Sequence, residues 1–178
     1  MDNQAKLLWQ RITEQGSSRK ASFEETLHLQ PGASDEDFQR LERILGIRLP
    51  EEMKDFYKVH NGQHWLAGTS AFVRNLTLSP IAQIVENWEF LQEEFDPDDL
   101  EPEIGEEIKP LLWNAKWIPI AENGGGDYLC LDTDPSEAGA LGQVLYFWHD
   151  WGNRSVEAKN LYAFIEMCLE EEDEPDED

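Results

Sequence analysis

Cysteine is almost missing from this chain: Cys130 and Cys168 are the two in 178 residues. That is too few for a disulfide framework, and no Cys-x-x-Cys unit is present to hold zinc or run thiol exchange. Both cysteines fall in apolar stretches, where free thiols pack as small hydrophobes; a reducing compartment is expected. Positive charge is also scarce. Fourteen basic residues face 38 acidic ones, a formal net charge of -24. Such a surface repels nucleic acid and anionic membrane and steers basic proteins towards itself. No apolar run approaches the ~18 residues that would span a bilayer. The first residues lack a basic stretch followed by an apolar core, so no signal peptide is expected, and the expected location is cytoplasmic.

Familiar catalytic patterns are missing too. There is no Gly-x-Ser-x-Gly elbow. Gly124, Gly125 and Gly126 are followed by the strand-like Tyr128-Leu129-Cys130-Leu131, not by the helix that a phosphate-binding loop requires. His60 and His64 are four apart, but Asn61-Gly62 breaks a helix between them, so they lack zinc-helix spacing.

What the chain does have is apolar mass. Hydrophobic residues make up 40% and aromatics 11%, with seven tryptophans; this excludes a disordered chain and supplies a core without staples. Leu7, Leu8, Trp9 and Ile12 mark a helix over 4–15, ending at a polar break from Ser17 to Lys20. Ser34 with Asp37 reads as a capping box before the stripe Phe38, Leu41, Ile44 and Leu45, and Gly46 ends that helix. Pro50 opens another, with Glu51 and Glu52 at the positive end of its dipole.

Residues 65–78 read as strands, and Ile81 to Phe95 as a helix. Asp96 to Glu107 reads as an acidic surface loop. Trp117–Ala121 and Tyr128–Leu131 form a hairpin about the glycines, and Val144–Trp148 is a further strand. A last helix starts near Asn160. Residues 170–178 carry eight acidic side chains and one proline, a self-repelling tail expected to be disordered. The order of elements predicts an α+β domain.

Two segments carry a resemblance. Pro31-Gly32-Ala33-Ser34, the helix ending Leu45-Gly46-Ile47-Arg48-Leu49-Pro50, then Phe56-Tyr57 and His60-Asn61-Gly62 form the first. Trp117-Ile118-Pro119-Ile120-Ala121, Gly124-Gly125-Gly126-Asp127-Tyr128 and Leu131-Asp132, followed by Gln143-Val144 and His149-Asp150, form the second. Together and in this order they resemble the SUKH superfamily, the Smi/Knr-like proteins related to the yeast cell-wall synthesis regulator. The resemblance spans roughly residues 32–168. It implies an antiparallel sheet packed against helices and no catalytic activity. It divides the chain into an N-terminal helical extension (1–30), a SUKH-like domain (31–169) and the acidic tail (170–178). Bacterial members of the superfamily act as immunity proteins; fungal relatives act as regulatory scaffolds.

No catalytic residue, metal ligand or cofactor is expected. Asp127, Asp132 and Asp134 surround the hairpin, but the Asp132-Thr133-Asp134 spacing lacks the glycine and closing glutamate of a calcium loop. His149 and Asp150, adjacent in a strand, point to opposite faces and read as sheet-end hydrogen-bonding groups. Protein binding needs less. The candidate contact residues are Glu122, Asp127, Asp132 and Asp134 on the hairpin loops and Asp96, Asp98, Asp99 and Glu101 on the long loop. Trp65 and Trp151, beside turns, are the candidate aromatic anchors. The first expectation is immunity: an acidic face docks a basic toxin domain, such as a nuclease. The alternative is a regulatory scaffold of the cell-wall regulator type.

Overall fold

The computed structural model describes residues 3–97, 104–149 and 153–173. Among them are six helices and one five-stranded antiparallel sheet, an α+β fold. The helices are α1 (Gln4–Arg19), α2 (Phe23–Thr26), α3 (Asp35–Leu45), α4 (Glu51–Val59), α5 (Ile81–Glu94) and α6 (Leu161–Asp173). The strands β1 (Thr77–Leu78), β2 (Trp117–Glu122), β3 (Tyr128–Asp132), β4 (Gln143–Phe147) and β5 (Val156–Ala158) pair in chain order as a meander.

Local chemistry sets the helix ends. Ser34 Oγ accepts the Asp37 N–H at 3.2 Å while Asp37 Oδ2 accepts the Ser34 N–H at 2.9 Å, the capping box read from the sequence. Gly46 takes φ +69, the left-handed turn that closes α3. Pro50 supplies no side-chain cap to α4, nor Pro80 to α5. For α5 the missing acceptor comes from elsewhere: Asn61 Oδ1 receives the Ile81 N–H at 2.9 Å. Asn160 Oδ1 likewise caps α6 through the Ala163 N–H at 2.8 Å.

The sheet is buried on both faces, so β2, β3 and β4 read as unbroken apolar runs. Ile118, Leu129, Leu131, Val144 and Tyr146 face one cluster, filled by α1, α3, α4 and α6. Trp117, Tyr128, Cys130, Leu145 and Phe147 face a second, covered by Ile108 and Trp113 of the 104–116 segment and by Leu91 of α5.

Four expectations change. Helix α1 runs through the polar break to Arg19, its last turn closed by Lys20 N–H to Gly16 O at 2.9 Å. Within 65–78 just Thr77–Leu78 is a strand; Phe72, Val73 and Leu76 are buried from irregular backbone instead. The described end of the acidic loop is docked, with Gly105 N–H on Arg154 O at 2.8 Å and Gln143 Nε2 on Glu107 O at 2.9 Å. Finally, α6 extends to Asp173, past the expected start of the tail. Arg74 holds its last turn through Glu171 at 3.1 and 3.3 Å, a cation beside the negative helix end. Residues 174–178 lie outside the described residues.

The N-terminal helix covers the core. Ala5, Leu8, Trp9 and Ile12 are buried, Trp9 stacks on Phe56 at 4.4 Å, and its indole N–H donates to Phe56 O at 3.0 Å.

Candidate interaction surface

The polar side chains of the two signature segments are mostly spent on holding the chain together. Tyr57 Oη donates to Ser79 O at 2.6 Å inside the core, and burial raises its phenol well above the usual range. His60 Nδ1 meets Gln30 O at 2.9 Å. A Cβ on Gly32 would stand 1.9 Å from Lys58 O, and one on Gly62 (φ +68) 2.5 Å from Pro80 N. These glycines allow backbone to cross backbone.

At the tip of the β2–β3 hairpin, Asn123 Oδ1 accepts the Gly125 and Asp127 N–H groups at 2.8 and 3.3 Å, and Asn123 Nδ2 donates to Asp127 Oδ2 at 3.0 Å. Asp127 Oδ1 takes the His149 N–H at 3.0 Å and meets His149 Nδ1 at 2.8 Å. Gly126 has φ +97, and a Cβ there would touch the His149 ring at 3.0 Å, so the glycine turn seats that histidine. Burial pushes the Asp127 carboxyl up, but the bonds from His149 and Asn123 outweigh it and hold the carboxyl below its ordinary value. A lowered folded pKa adds stability above the unfolded value of 3.8, which is lost as pH falls through the folded pKa. Asp127→Asn should therefore cost about 1–2 kcal/mol at neutral pH, because its amide would face Asn123 or His149 donor to donor. Urea unfolding at neutral and strongly acidic pH checks this: the gap to the wild type should close in acid.

At the opposite end of β3, five residues on from Asp127 and so about 16–17 Å away at strand rise, Asp132 is fully buried. Its oxygens accept the Asp134 N–H at 2.8 Å and Gln143 Nε2 at 2.9 Å. Burial raises its carboxyl above the ordinary value despite those bonds. The structure thus removes Asp132 from any exposed contact set: it ties the β3–β4 turn from inside. Asp134 is half-buried, with Lys109 Nζ at 2.5 Å and Asn114 Nδ2 at 3.2 Å; burial raises its carboxyl but these partners pull it below normal. Glu122 is half-buried against Asn87 Nδ2 at 2.6 Å, and burial leaves its carboxyl raised. Asp96 is exposed just beyond α5. Asp98, Asp99, Glu101 and Trp151 lie outside the described residues, as does Asp150. The described acidic candidates therefore do not form one face; the length of β3 separates them.

Trp65 is 45% exposed and its neighbour Leu66 59%. Their turn is pinned. Thr69 Oγ1 lies 2.9 Å from both the His64 and Leu66 carbonyls, accepts the Leu66 N–H at 3.0 Å and meets His28 Nδ1 at 2.7 Å. His28 adopts φ +49 to reach it. The sequence led to an exposed Trp65, which the structure shows, but gave no warning of the exposed Leu66, the Asp127–His149 pair or the burial of Asp132. A signal for the last existed: Tyr128, Cys130 and Asp132 share one face of an unbroken apolar strand, so that face is buried too.

Among the described residues no group of three or more histidine, cysteine, aspartate or glutamate side chains is placed to hold a metal ion. None of the described helices is long and apolar enough to cross a membrane.

Known proteins give this arrangement a context. A glucan synthesis regulatory protein of Neurospora crassa is 22% identical over 177 residues, covering 79% of this chain and 33% of its own. A cell wall biosynthesis/cell cycle regulator, smi1, of Schizosaccharomyces pombe is 24% identical over 149 residues, covering 75% and 30%. The cell wall assembly regulator SMI1 of Saccharomyces cerevisiae is 20% identical over 196 residues, covering 89% and 38%. The chain thus spans about a third of the length of these relatives. The family model described as SMI1/KNR4 family (SUKH-1) matches residues 32–167, from the Gly32 crossing through both signature segments into α6. The chain belongs to the SMI1/KNR4 family.

Proposed function

We propose that this chain is a non-catalytic protein-binding module of the regulatory type for which its relatives are named. The observation that carries the reading is how its signature side chains are used. Tyr57, His60, Asn61, Asp127, Asp132 and Gln143 all hold backbone or one another, leaving a rigid apolar tip, Trp65-Leu66, for contact. An exposed aromatic on a backbone turn already fixed by Thr69 loses little main-chain freedom on binding and is the kind of residue that carries interface energy. The relatives' names favour regulation over immunity. The immunity reading keeps one supporting fact, the charge of -24, which suits a basic toxin domain.

Affinity capture by the full chain, compared with Trp65→Ala/Leu66→Ala, tests the reading. Partners held by the wild type should be lost at least tenfold by the double variant, with the melting temperature within about 2 °C because both side chains are exposed. Capture that is unaffected removes the tip from the interface, and failure to retain any protein specifically sinks the binding reading. A salt series separates the two classes of partner. A basic toxin held by acidic loops should be released as salt screens charges beyond roughly 8 Å, whereas an apolar contact should persist.

A further inference from the structure

We propose that the trough between Pro50 and Leu141 docks an extended segment of a partner protein in which an aliphatic side chain stands beside a carboxylate. This rests on the protein-binding reading and adds a second contact of defined chemistry. Two hollows, of about 330 and 210 Å3, adjoin here and share Pro50, Glu51 and Leu141. Ile47 and Leu49 wall the first; Met53 and Leu161 wall the second. Neighbouring apolar hollows suit alternate side chains of an extended peptide.

Both walls are fixed before anything binds. Leu141 is 70% exposed, yet its turn is held by Gly142 N–H on Asp132 O at 2.8 Å and by Gln143 N–H on Ala140 O at 3.1 Å. Gln143 itself is locked to Asp132, Glu107 and Ala140. On the facing wall the Leu49 N–H donates to Glu42 Oε2 at 3.0 Å. An exposed leucine on so rigid a turn costs little further entropy when it is covered.

Charge selects the occupant. The first hollow is lined by Arg48, Lys116 and Glu51, and the second by Glu51 and Glu52. Glu51 is answered by Lys54 at 3.7 Å. Arg48 and Lys116 are exposed and neither makes an ion pair within 4.0 Å among the described residues, so the excess positive charge lies at the first hollow. In a chain with 14 basic residues against 38 acidic, two such cations beside one apolar trough favour an anion locally. The whole chain repels polyanions such as nucleic acid or a membrane surface. A single carboxylate seated between two cations responds to charges within about a Debye length, roughly 8 Å at physiological salt. That combination fits a short acidic-aliphatic segment of protein.

The test is selection of phage-displayed random dodecapeptides on the immobilised full chain. The best synthetic peptide is then titrated by fluorescence anisotropy against wild type, Leu141→Asp and Arg48→Glu/Lys116→Glu. Enriched peptides should pair an acidic residue with leucine, isoleucine or valine, and each variant should bind at least tenfold more weakly with an unchanged melting curve. Leu141→Ala serves if the aspartate variant does not fold. Peptides that are basic, or that bind all variants equally, overturn the trough while leaving the protein-binding reading standing. Absence of enrichment also overturns it as a peptide site, whereas failure of the Trp65-Leu66 comparison bears on the broader reading alone.

Discussion

Replacing Gln63 with alanine should lower the stability of the fold by about 3–5 kcal/mol, since each buried polar group left unpaired costs about 1–3 kcal/mol. Gln63 is fully buried. Its Nε2 donates to Leu27 O at 2.9 Å and Ser70 O at 2.7 Å, and its Oε1 accepts the Leu78 N–H at 2.8 Å. The Gln63 N–H meanwhile donates to Leu78 O at 3.0 Å. One residue thus occupies both outward groups of Leu78 on β1, the strand at the sheet's edge, and ties the end of α2 and the 64–70 turn to it. An open strand edge is also a template for pairing with other chains, so the variant should aggregate more readily. Gln63→Glu offers no donor and should be no better. Urea unfolding measures the loss; a cost below about 1 kcal/mol would show that water replaces the side chain without penalty.

The same residue marks where the sequence was legible and where it was not. Helix ends were readable because their chemistry is local: Ser34 with Asp37, and Gly46 at positive φ, lie within a few residues of what they cap. The hairpin was readable from its glycines and flanking apolar runs. Gln63 was not, because its three side-chain partners lie 36, 7 and 15 residues away, and nothing in a polar residue after Asn61-Gly62 tells that it is buried. Asp127–His149 depends on the register that sets Tyr128 opposite Phe147, which no local pattern supplies. The acidic candidates looked like one set because Asp127 and Asp132 are close in sequence. A strand runs between them, and an extended chain puts its ends far apart. The exposed apolar side chains were half legible for a related reason. A tryptophan beside a turn announces itself, but Leu141 reads as an ordinary loop leucine until the turn that fixes it is known.

The least legible part was the cover on the sheet's second face, and it carries the other large expected effect. Trp113→Ala should cost about 3–5 kcal/mol, the usual range for deleting a buried large aromatic, whereas Trp113→Phe should cost under about 1.5 kcal/mol. Trp113 is fully buried and meets Trp117 edge-on at 5.7 Å and Phe147 at 5.6 Å. Its indole Nε1 has no hydrogen-bond partner among the described residues, so a phenyl ring keeps most of the contact and removes an unsatisfied donor. The segment is clamped from above as well. Arg154 stands over the Phe147 ring at 4.4 Å and donates from Nε and Nη2 to Leu112 O at 3.2 and 2.9 Å; burial lowers its guanidinium to about 10. Hydrogen exchange provides the local readout. In Trp113→Ala the amides of β3 and β4 should lose protection while those of α1 and α4, in the other cluster, keep theirs at mild denaturant. Uniform loss would mean that the two clusters unfold as one. A cost below about 1 kcal/mol would mean that the 104–116 segment lies on the sheet without sealing it.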